Sequence, residues 1–173
     1  MERLRQKAEQ MGLFLDDSQT ACFQKYYEML VEKNKVMNLT AITEKEEVID
    51  KHFVDSLAFV KTGLETSGKK LLDLGTGAGF PGIPLKIAFP EMKILLLDSL
   101  NKRVRFLQEV IDALGLEGIE ALHGRAEDFA KQKKYRENFD YVVSRAVANL
   151  SVLSEYCIPY VSAGGYFLPY KSG

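Results

Sequence analysis

Residues 71–87 read Leu71-Leu-Asp-Leu-Gly-Thr-Gly-Ala-Gly-Phe-Pro-Gly-Ile-Pro-Leu-Lys-Ile87. The run Leu71, Leu72, Leu74, interrupted only by Asp73, has the character of a strand buried on both faces of a parallel sheet. Gly75, Gly77 and Gly79 follow at once, and a helical pattern starts near Pro84. Glycine is needed where a strand turns sharply or where backbone lies against a ligand, because a Cβ would obstruct either. A strand, a glycine-rich turn and a helix N-terminus together make a nucleotide-binding corner.

Which nucleotide binds there depends on the residues around the glycines. Gly77-Ala-Gly79-Phe-Pro-Gly82 matches the dinucleotide fingerprint literally, which alone is a weak signal. Against it, Pro81 falls where the fingerprint helix should already be running, a place proline disfavours. Asp73 also puts a carboxylate inside the first strand, two residues before the first glycine. The pattern Asp73-x-Gly75-x-Gly77-x-Gly79 resembles the first motif of class I S-adenosylmethionine (SAM) methyltransferases. That resemblance implies a turn lying against the methionine part of SAM, with no pyrophosphate bound. The second strand, Ile94-Leu-Leu-Leu-Asp98, ends in an acid able to accept from both ribose hydroxyls. Charge-assisted bonds of that kind are worth ~1.5–3 kcal/mol each. The alternatives are a nicotinamide-dependent oxidoreductase and a flavodoxin-like or small Rossmann domain without cofactor.

Composition narrows the class. The 173 residues are 46% hydrophobic and 27% charged, ordinary for a globular protein of one domain with an appendage. No apolar run approaches the ~20 residues of a membrane span, and Met1-Glu-Arg-Leu-Arg-Gln-Lys7 is no signal peptide. Cys22 and Cys157 make no disulfide framework, so a cytoplasmic location is expected; both sit among apolar neighbours and read as buried small hydrophobes. Cysteine and histidine positions offer no metal-ligand cluster, and a net charge of −1 carries no global nucleic-acid signature.

The chain divides near Ser67-Gly68 into an N-terminal helical extension, 1–66, and a SAM-binding methyltransferase domain, 67–173. Asp17 or Ser18 is placed to cap a helix with Cys22, Tyr26 and Met29 or Leu30 on one face. Thr43 and Glu46 form a capping box for a second long helix carrying Val48, Ile49, Phe53, Leu57 and Val60. Beyond Lys69, strands at 70–75, 93–98, 119–123, 138–144 and 164–170 alternate with helices near 83–89, 101–114, 126–133 and 149–160. Such alternation gives an α/β, doubly wound Rossmann-like sheet with its crevice at the carboxyl ends of strands one and two. The sequence given stops at Lys171-Ser-Gly173, just after strand five. The methyltransferase fold normally adds a helix and two more strands. The expectation is therefore an incomplete domain with strand five exposed as an edge, prone to self-association and weak in turnover.

The methyl acceptor is approached by exclusion. Methylation of an exocyclic amine usually goes with an Asn/Asp-Pro-Pro-aromatic motif after the fourth strand, where Phe139-Asp-Tyr-Val-Val-Ser144 is followed by Arg145-Ala-Val-Ala. Methylation of pyrimidine carbon 5 needs a cysteine nucleophile in the cleft, and neither cysteine is well placed. An atom with its own lone pair, such as guanine N7, remains, and it needs no catalytic base. The chain is similar to the bacterial ribosomal RNA small-subunit methyltransferase G family, also called glucose-inhibited division protein B. The matching stretches are Asn34-x-x-x-Asn-Leu-Thr40, His52-x-x-Asp-Ser56, residues 73–84, Leu97-Asp-Ser99 with Lys102-Arg-Val-Arg-Phe106, Arg125-Ala-Glu127 and Ser144-Arg-Ala146. The resemblance implies SAM-dependent methylation of guanosine N7 in 16S ribosomal RNA, free or within the small-subunit particle, with no membrane or metal involved. It also implies cofactor contacts at Gly75, Phe80, Ala126, Glu127 and Arg145. Alternatives are a small-molecule SAM methyltransferase and a SAM-binding remnant without turnover.

The same positions can be read from their own chemistry. Asp73, Gly75, Gly77, Gly79, Phe80, Asp98, Ser99, Ala126, Glu127 and Arg145 are the candidate cofactor residues. Phe80 could pack against the cofactor or simply cover the core. Glu127 also suits a first helical turn, where an acid is favoured by the helix dipole. Arg145, at the end of strand four, faces the place of a target base. Lys102, Arg105, Arg125 and Arg145 are candidate RNA contacts, with Lys102 and Arg105 on one helix face and Arg103 pointing elsewhere. Residues 131–134 read as a helix C-terminal charge cluster. His52 and Asp55 are expected to be structural or substrate-orienting, and Asn34 and Asn38 to brace a loop beside the cleft.

Overall fold

The apolar run ahead of the glycines forms strand β1 (Lys70–Leu74), the middle strand of a five-stranded parallel sheet. The others are β2 (Lys93–Asp98), β3 (Ile119–His123), β4 (Phe139–Ser144) and β5 (Val161–Pro169), in the order β3-β2-β1-β4-β5. The computed structural model describes residues 1–145 and 149–170; Ala146 and Lys171-Ser-Gly173 lie outside the described residues. In the central pairs Leu72 faces Leu95 on β2 and Val142 on β4, so β1 is buried between neighbours. Winding reverses between β1 and β4, which places the switch point at the carboxyl end of β1.

Strand pleating sends Leu71 to one side and Leu72 and Leu74 to the other, and helices cover both faces. Helices α1 (Glu2–Gln10), α2 (Asp17–Asn34), α5 (Gly82–Ala88) and α6 (Asn101–Leu114) share the core on the Leu71 side. Helices α7 (Ala126–Phe129) and α8 (Leu150–Cys157) close the Leu72 side, through Ala130, Leu153 and Cys157. Phe23, Tyr26 and Phe53 belong to the same apolar cluster as Leu71, Leu96 and Val143, so the core runs unbroken across Ser67-Gly68. Among the described residues no helix is long and apolar enough to cross a membrane.

Several local expectations need correction. Helix α1 was not anticipated; only Leu4 and Ala8 of its residues are buried, a face too narrow to stand out in the pattern. The N-cap of α2 is Asp16, one residue earlier than expected, in a capping box with Gln19. Its inner face carries Phe23, Tyr26 and Leu30 rather than Cys22. The Thr43–Glu46 capping box does not form. Glu44 is the N-cap, without a side-chain bond, and the Thr43 carbonyl instead accepts from the Tyr27 hydroxyl. The second long helix is a relay of α3 (Lys45–Val48), a π-turn (Ile49–Val54), α4 (Asp55–Leu57) and a 3₁₀ turn (Ala58–Thr62). The wider π-turn lets Ile49, Phe53 and Leu57 all reach the core.

Helix α7 stops at Phe129 because Phe129 turns inward to stack edge-on against Tyr135, at 5.2 Å and 70°. Lys131, Lys133 and Lys134 therefore lie in turns and not at a helix C-terminus. Helix α8 gives way at Pro159 to a 3₁₀ turn (Ile158–Tyr160). Strand β5 begins at Val161, three residues before the expected start, because a bulge at Gly164, with φ of +80°, lets it pair first with Phe139 and then with Tyr141. It forms one edge of the sheet.

Candidate cofactor cleft and acceptor compartment

The glycines of the turn after β1 divide into two pairs. Gly75 and Gly77 have φ of +69° and +60°, and a Cβ on either would meet nothing within 4 Å. Both line cavities at the carboxyl end of the sheet, Gly75 two of them and Gly77 one. Gly79 and Gly82 are needed for packing instead. A Cβ on Gly79 would lie 2.5 Å from the Tyr26 hydroxyl, and one on Gly82 only 2.2 Å from Leu96 Cδ2. Gly79, expected at the cofactor, borders Tyr26 and Ile83 and lines neither cavity described below.

Asp73 is likewise a brace and not a direct contact. It is 0% exposed, and its Oδ2 accepts from Thr76 Oγ1 at 2.7 Å and from the Gly82 N–H at 2.8 Å. Oδ1 has no partner. Burial pushes this carboxyl up to about 7, although the two hydrogen bonds pull the other way. Asp98, 3% exposed, spans the gap between the first two strands. Its Oδ2 accepts from the Gly77 N–H at 2.8 Å and its Oδ1 from the Leu100 N–H at 2.9 Å, with Arg103 Nη1 at 3.6 Å. Each oxygen keeps a further lone pair for a ligand hydroxyl.

A cleft of about 430 Å³ opens at the carboxyl ends of β1 to β4. It brings together Gly75, Asp98, Ser99, Arg125, Ala126 and Glu127, as the sequence reading expected. Leu97, Ser144, Leu153 and Tyr156 also line it and were not foreseen. Ser144 Oγ donates to the Leu74 carbonyl at 2.8 Å, tying the ends of β4 and β1 together at the switch point. Tyr156 stands on α8, where an apolar helical pattern was legible but not which residue would overhang the cleft.

A second compartment of about 450 Å³ shares Gly75 with the first. Its walls include Thr40, His52, Gly77, Phe80, Arg103 and Arg145. Phe80 is 6% exposed and stacks on His52 with ring centroids 4.5 Å apart at 14°. It also touches Tyr26 and Phe53, so its ring belongs mainly to the core, the blander of its two readings. His52 Nε2 lies 2.8 Å from Thr40 Oγ1. Burial, helped by the Arg145 charge, holds its ring down to about 4, so it is neutral near pH 7. Asp55 pairs with Arg145 at 3.3 Å rather than with His52. Arg145 also donates to the Lys51 carbonyl and sits 5.8 Å over the Phe80 ring, while its buried Nη1 has no partner among the described residues. Asn34 Oδ1 accepts from the Leu39 and Thr40 N–H groups, the bracing expected of it.

Two of the expected RNA contacts do not reach either cavity. Lys102 and Arg105 are exposed on α6 and line neither, whereas Arg103, thought to point elsewhere, lines the second compartment. The first turn of α6 starts one residue after the Leu100 cap, and that phase aims position 103 back at Asp98. Cys157 is buried, its thiol pushed up by burial to about 12, which removes it from nucleophilic chemistry. Among the described residues no group of three metal-ligating side chains converges.

These residues fit SAM. Two left-handed glycines leave backbone room for the methionine part, Asp98 stands at the end of β2 for the ribose, and Ala126 opens α7 beside the cleft.

The model of the family described as rRNA small subunit methyltransferase G matches residues 19–173. A curated ribosomal RNA small subunit methyltransferase G of Lachnoclostridium phytofermentans is 59% identical over 163 residues, covering 94% of this chain and 67% of that protein. One from Thermoanaerobacter sp. is 54% identical over 171 residues, covering 99% of this chain and 71% of the relative. Among solved structures, a SAM-dependent methyltransferase from Aquifex aeolicus superposes with a TM-score of 0.56 at 21% identity, over 80% of this chain and 71% of that one. The YcgJ protein of Bacillus subtilis gives a TM-score of 0.57 at 18% identity, over 68% and 50%.

Proposed function

Since the chain belongs to the rRNA small subunit methyltransferase G family, we propose that it is a SAM-dependent methyltransferase acting on guanine N7 of 16S ribosomal RNA in the cytoplasm. The observation that carries the reading is the pair of open, left-handed glycines, Gly75 and Gly77, set against Asp98 at the switch point of a parallel sheet.

Gly75, Asp98, Ser99, Ala126 and Glu127 would hold the cofactor in the cleft, and Gly77 and Arg145 would join them from the second compartment, Arg145 through the Nη1 that has no partner among the described residues. Bound there, the cofactor supplies an electrophilic methyl group. Guanine N7 has a lone pair of its own to receive that methyl, so the residues of the site would need to remove no proton. This agrees with His52, whose neutral ring is engaged by Thr40 and stacked on Phe80 instead of standing free as a base. The chain's contribution is alignment of N7, methyl carbon and sulfur, an effect able to supply ~7–11 kcal/mol.

The test is incubation with labelled SAM and unmethylated small-subunit RNA, both free and in particles, followed by mapping of the label. Label at N7 of a guanosine is expected. Asp98→Ala should weaken SAM binding about tenfold or more, corresponding to ~1.4 kcal/mol. Label on small acceptors but not on RNA would overturn the substrate assignment, and unchanged SAM affinity in the Asp98 variant would overturn the cofactor site.

A further inference from the structure

We propose that Arg103 is the residue through which the second compartment holds a phosphodiester oxyanion of the RNA, positioning the nucleotide beside the cofactor cleft. The inference rests on the functional reading above and adds a substrate-positioning residue to it. Three cations stand close together on α6, at 102, 103 and 105, and of these Arg103 alone lines either of the two cavities described above. Its guanidinium is held from behind by Asp98, 3.6 Å away, and its side chain is still 37% exposed. An arginine oriented by one carboxylate keeps further N–H donors for an oxyanion in front, in a planar fork suited to phosphate.

The rest of the compartment supplies donors for an anion. Arg145 lines it with its charge, His52 adds none because its ring is neutral, and Thr40 contributes a hydroxyl. The acids nearest these arginines, Asp98 and Asp55, lie against the guanidinium groups as ion-pair partners. Lys102 and Arg105 are exposed on the same helix and line neither cavity. The cofactor also carries an oxyanion, its carboxylate, so the experiment must tell the two apart.

The full chain is compared with Arg103→Gln, Arg103→Lys and the double variant Lys102→Gln/Arg105→Gln. RNA binding across a salt series, SAM affinity by calorimetry, and kcat and KM for RNA are measured. If Arg103 meets a phosphate, Arg103→Gln raises KM for RNA about tenfold and flattens the salt slope by about 0.7, the single-strand value for one contact. Its SAM affinity stays within about twofold, and Arg103→Lys recovers part of the loss because charge is kept while the fork is lost. The double variant loses less than Arg103→Gln. Weakened SAM binding with RNA affinity unchanged would show that Arg103 serves Asp98 or the cofactor carboxylate, overturning the inference. An unaltered salt slope in Arg103→Gln, or a larger loss in the double variant, would overturn it too. Failure of the unaltered chain to bind RNA would be a different result, removing the functional reading and the inference together.

Discussion

Gly77 and Gly82 lie five residues apart and are glycine for different reasons, so their alanine variants should fail differently. Alanine at Gly77 keeps space around it but strains a left-handed backbone, costing ~1–2 kcal/mol, and puts a methyl on a residue that lines the second compartment. Gly77→Ala should therefore fold and lose SAM affinity. Alanine at Gly82 collides with Leu96 and Asp73 inside the core, an overpacking worth ~1–3 kcal/mol. Thermal unfolding and calorimetry on the two variants would separate these outcomes. Asp73 and His52 make a second residue-level prediction, because they titrate in opposite senses. The Asp73 carboxyl, pushed by burial from 3.8 up to about 7, holds a proton in the fold that the unfolded chain has lost, so stability falls as pH rises across that window. His52, held by burial down to about 4 from 6.5, must take up a proton on unfolding, so stability grows between about 4 and 6.5. Asp50, held down to about 2 mainly by its bond to Arg3, acts only below 3.8 and lies outside the contest. The unaltered chain should show a nearly flat melting temperature from pH 4.5 to 6.5. Asp73→Asn should melt higher as pH rises over that range, and His52→Asn lower. Parallel profiles for all three proteins would contradict the assignment.

Among the elements, α2 is held at its start by one reciprocal cap. The Asp16 carboxylate accepts from the Gln19 N–H at 2.8 Å, and the Gln19 side chain accepts from the Asp16 N–H at the same distance. Gln19 also donates to the Ile87 and Ala88 carbonyls, so the cap joins α2 to the C-terminal end of α5. Asp16→Ala should cost ~0.5–2 kcal/mol of stability. Gln19→Ala should cost more, since it loses the cap and also leaves two helix-end carbonyls without a partner. Neither residue borders the cofactor cleft, so SAM affinity should change little. Denaturant titrations of both variants, read beside SAM calorimetry, check this. A cofactor defect in Asp16→Ala would mean that α2 transmits more to the turn than its packing indicates.

Taken as a whole, the molecule treats residues 1–66 as the cover of one sheet face. The rings of Phe23 and Phe53 pack tilted with centroids 5.0 Å apart, those of Tyr26 and Phe80 5.6 Å apart, and the Tyr26 hydroxyl donates to the Ala78 carbonyl at 2.6 Å inside the glycine turn. Without the extension, α5 and α6 would lose the α2 helix packed on them, and Phe80 its Tyr26 and Phe53 partners. Residues 67–173 expressed alone should therefore bind a dye for exposed apolar surface and show little near-ultraviolet dichroism. They should also have no measurable SAM affinity, because the turn loses its Tyr26 anchor. A cooperatively melting, SAM-binding product would show that the helices are an independent appendage.

What the sequence by itself determined was the local chemistry. An apolar strand, three alternate glycines and an acid at the end of the next strand specify a cofactor corner, because each constraint lies within a few residues. The alternation of strands and helices specifies the parallel sheet for the same reason, whereas Ser99, Ala126 and Glu127 were expected at the cofactor through the family resemblance. Only the tertiary structure decided which side of each residue faces which cavity. Asp73 and Gly79 sit in the motif yet point into the core, because the turn packs down on Thr76, Gly82 and Tyr26. Arg103 reaches the compartment where Lys102 and Arg105 do not, because the cap at Leu100 sets the phase of α6. Tyr156 and Leu153 overhang the cleft because α8 crosses back over the Leu72 face. These placements depend on contacts between segments tens of residues apart, and helical or strand periodicity records which residues share a face but not what that face will meet.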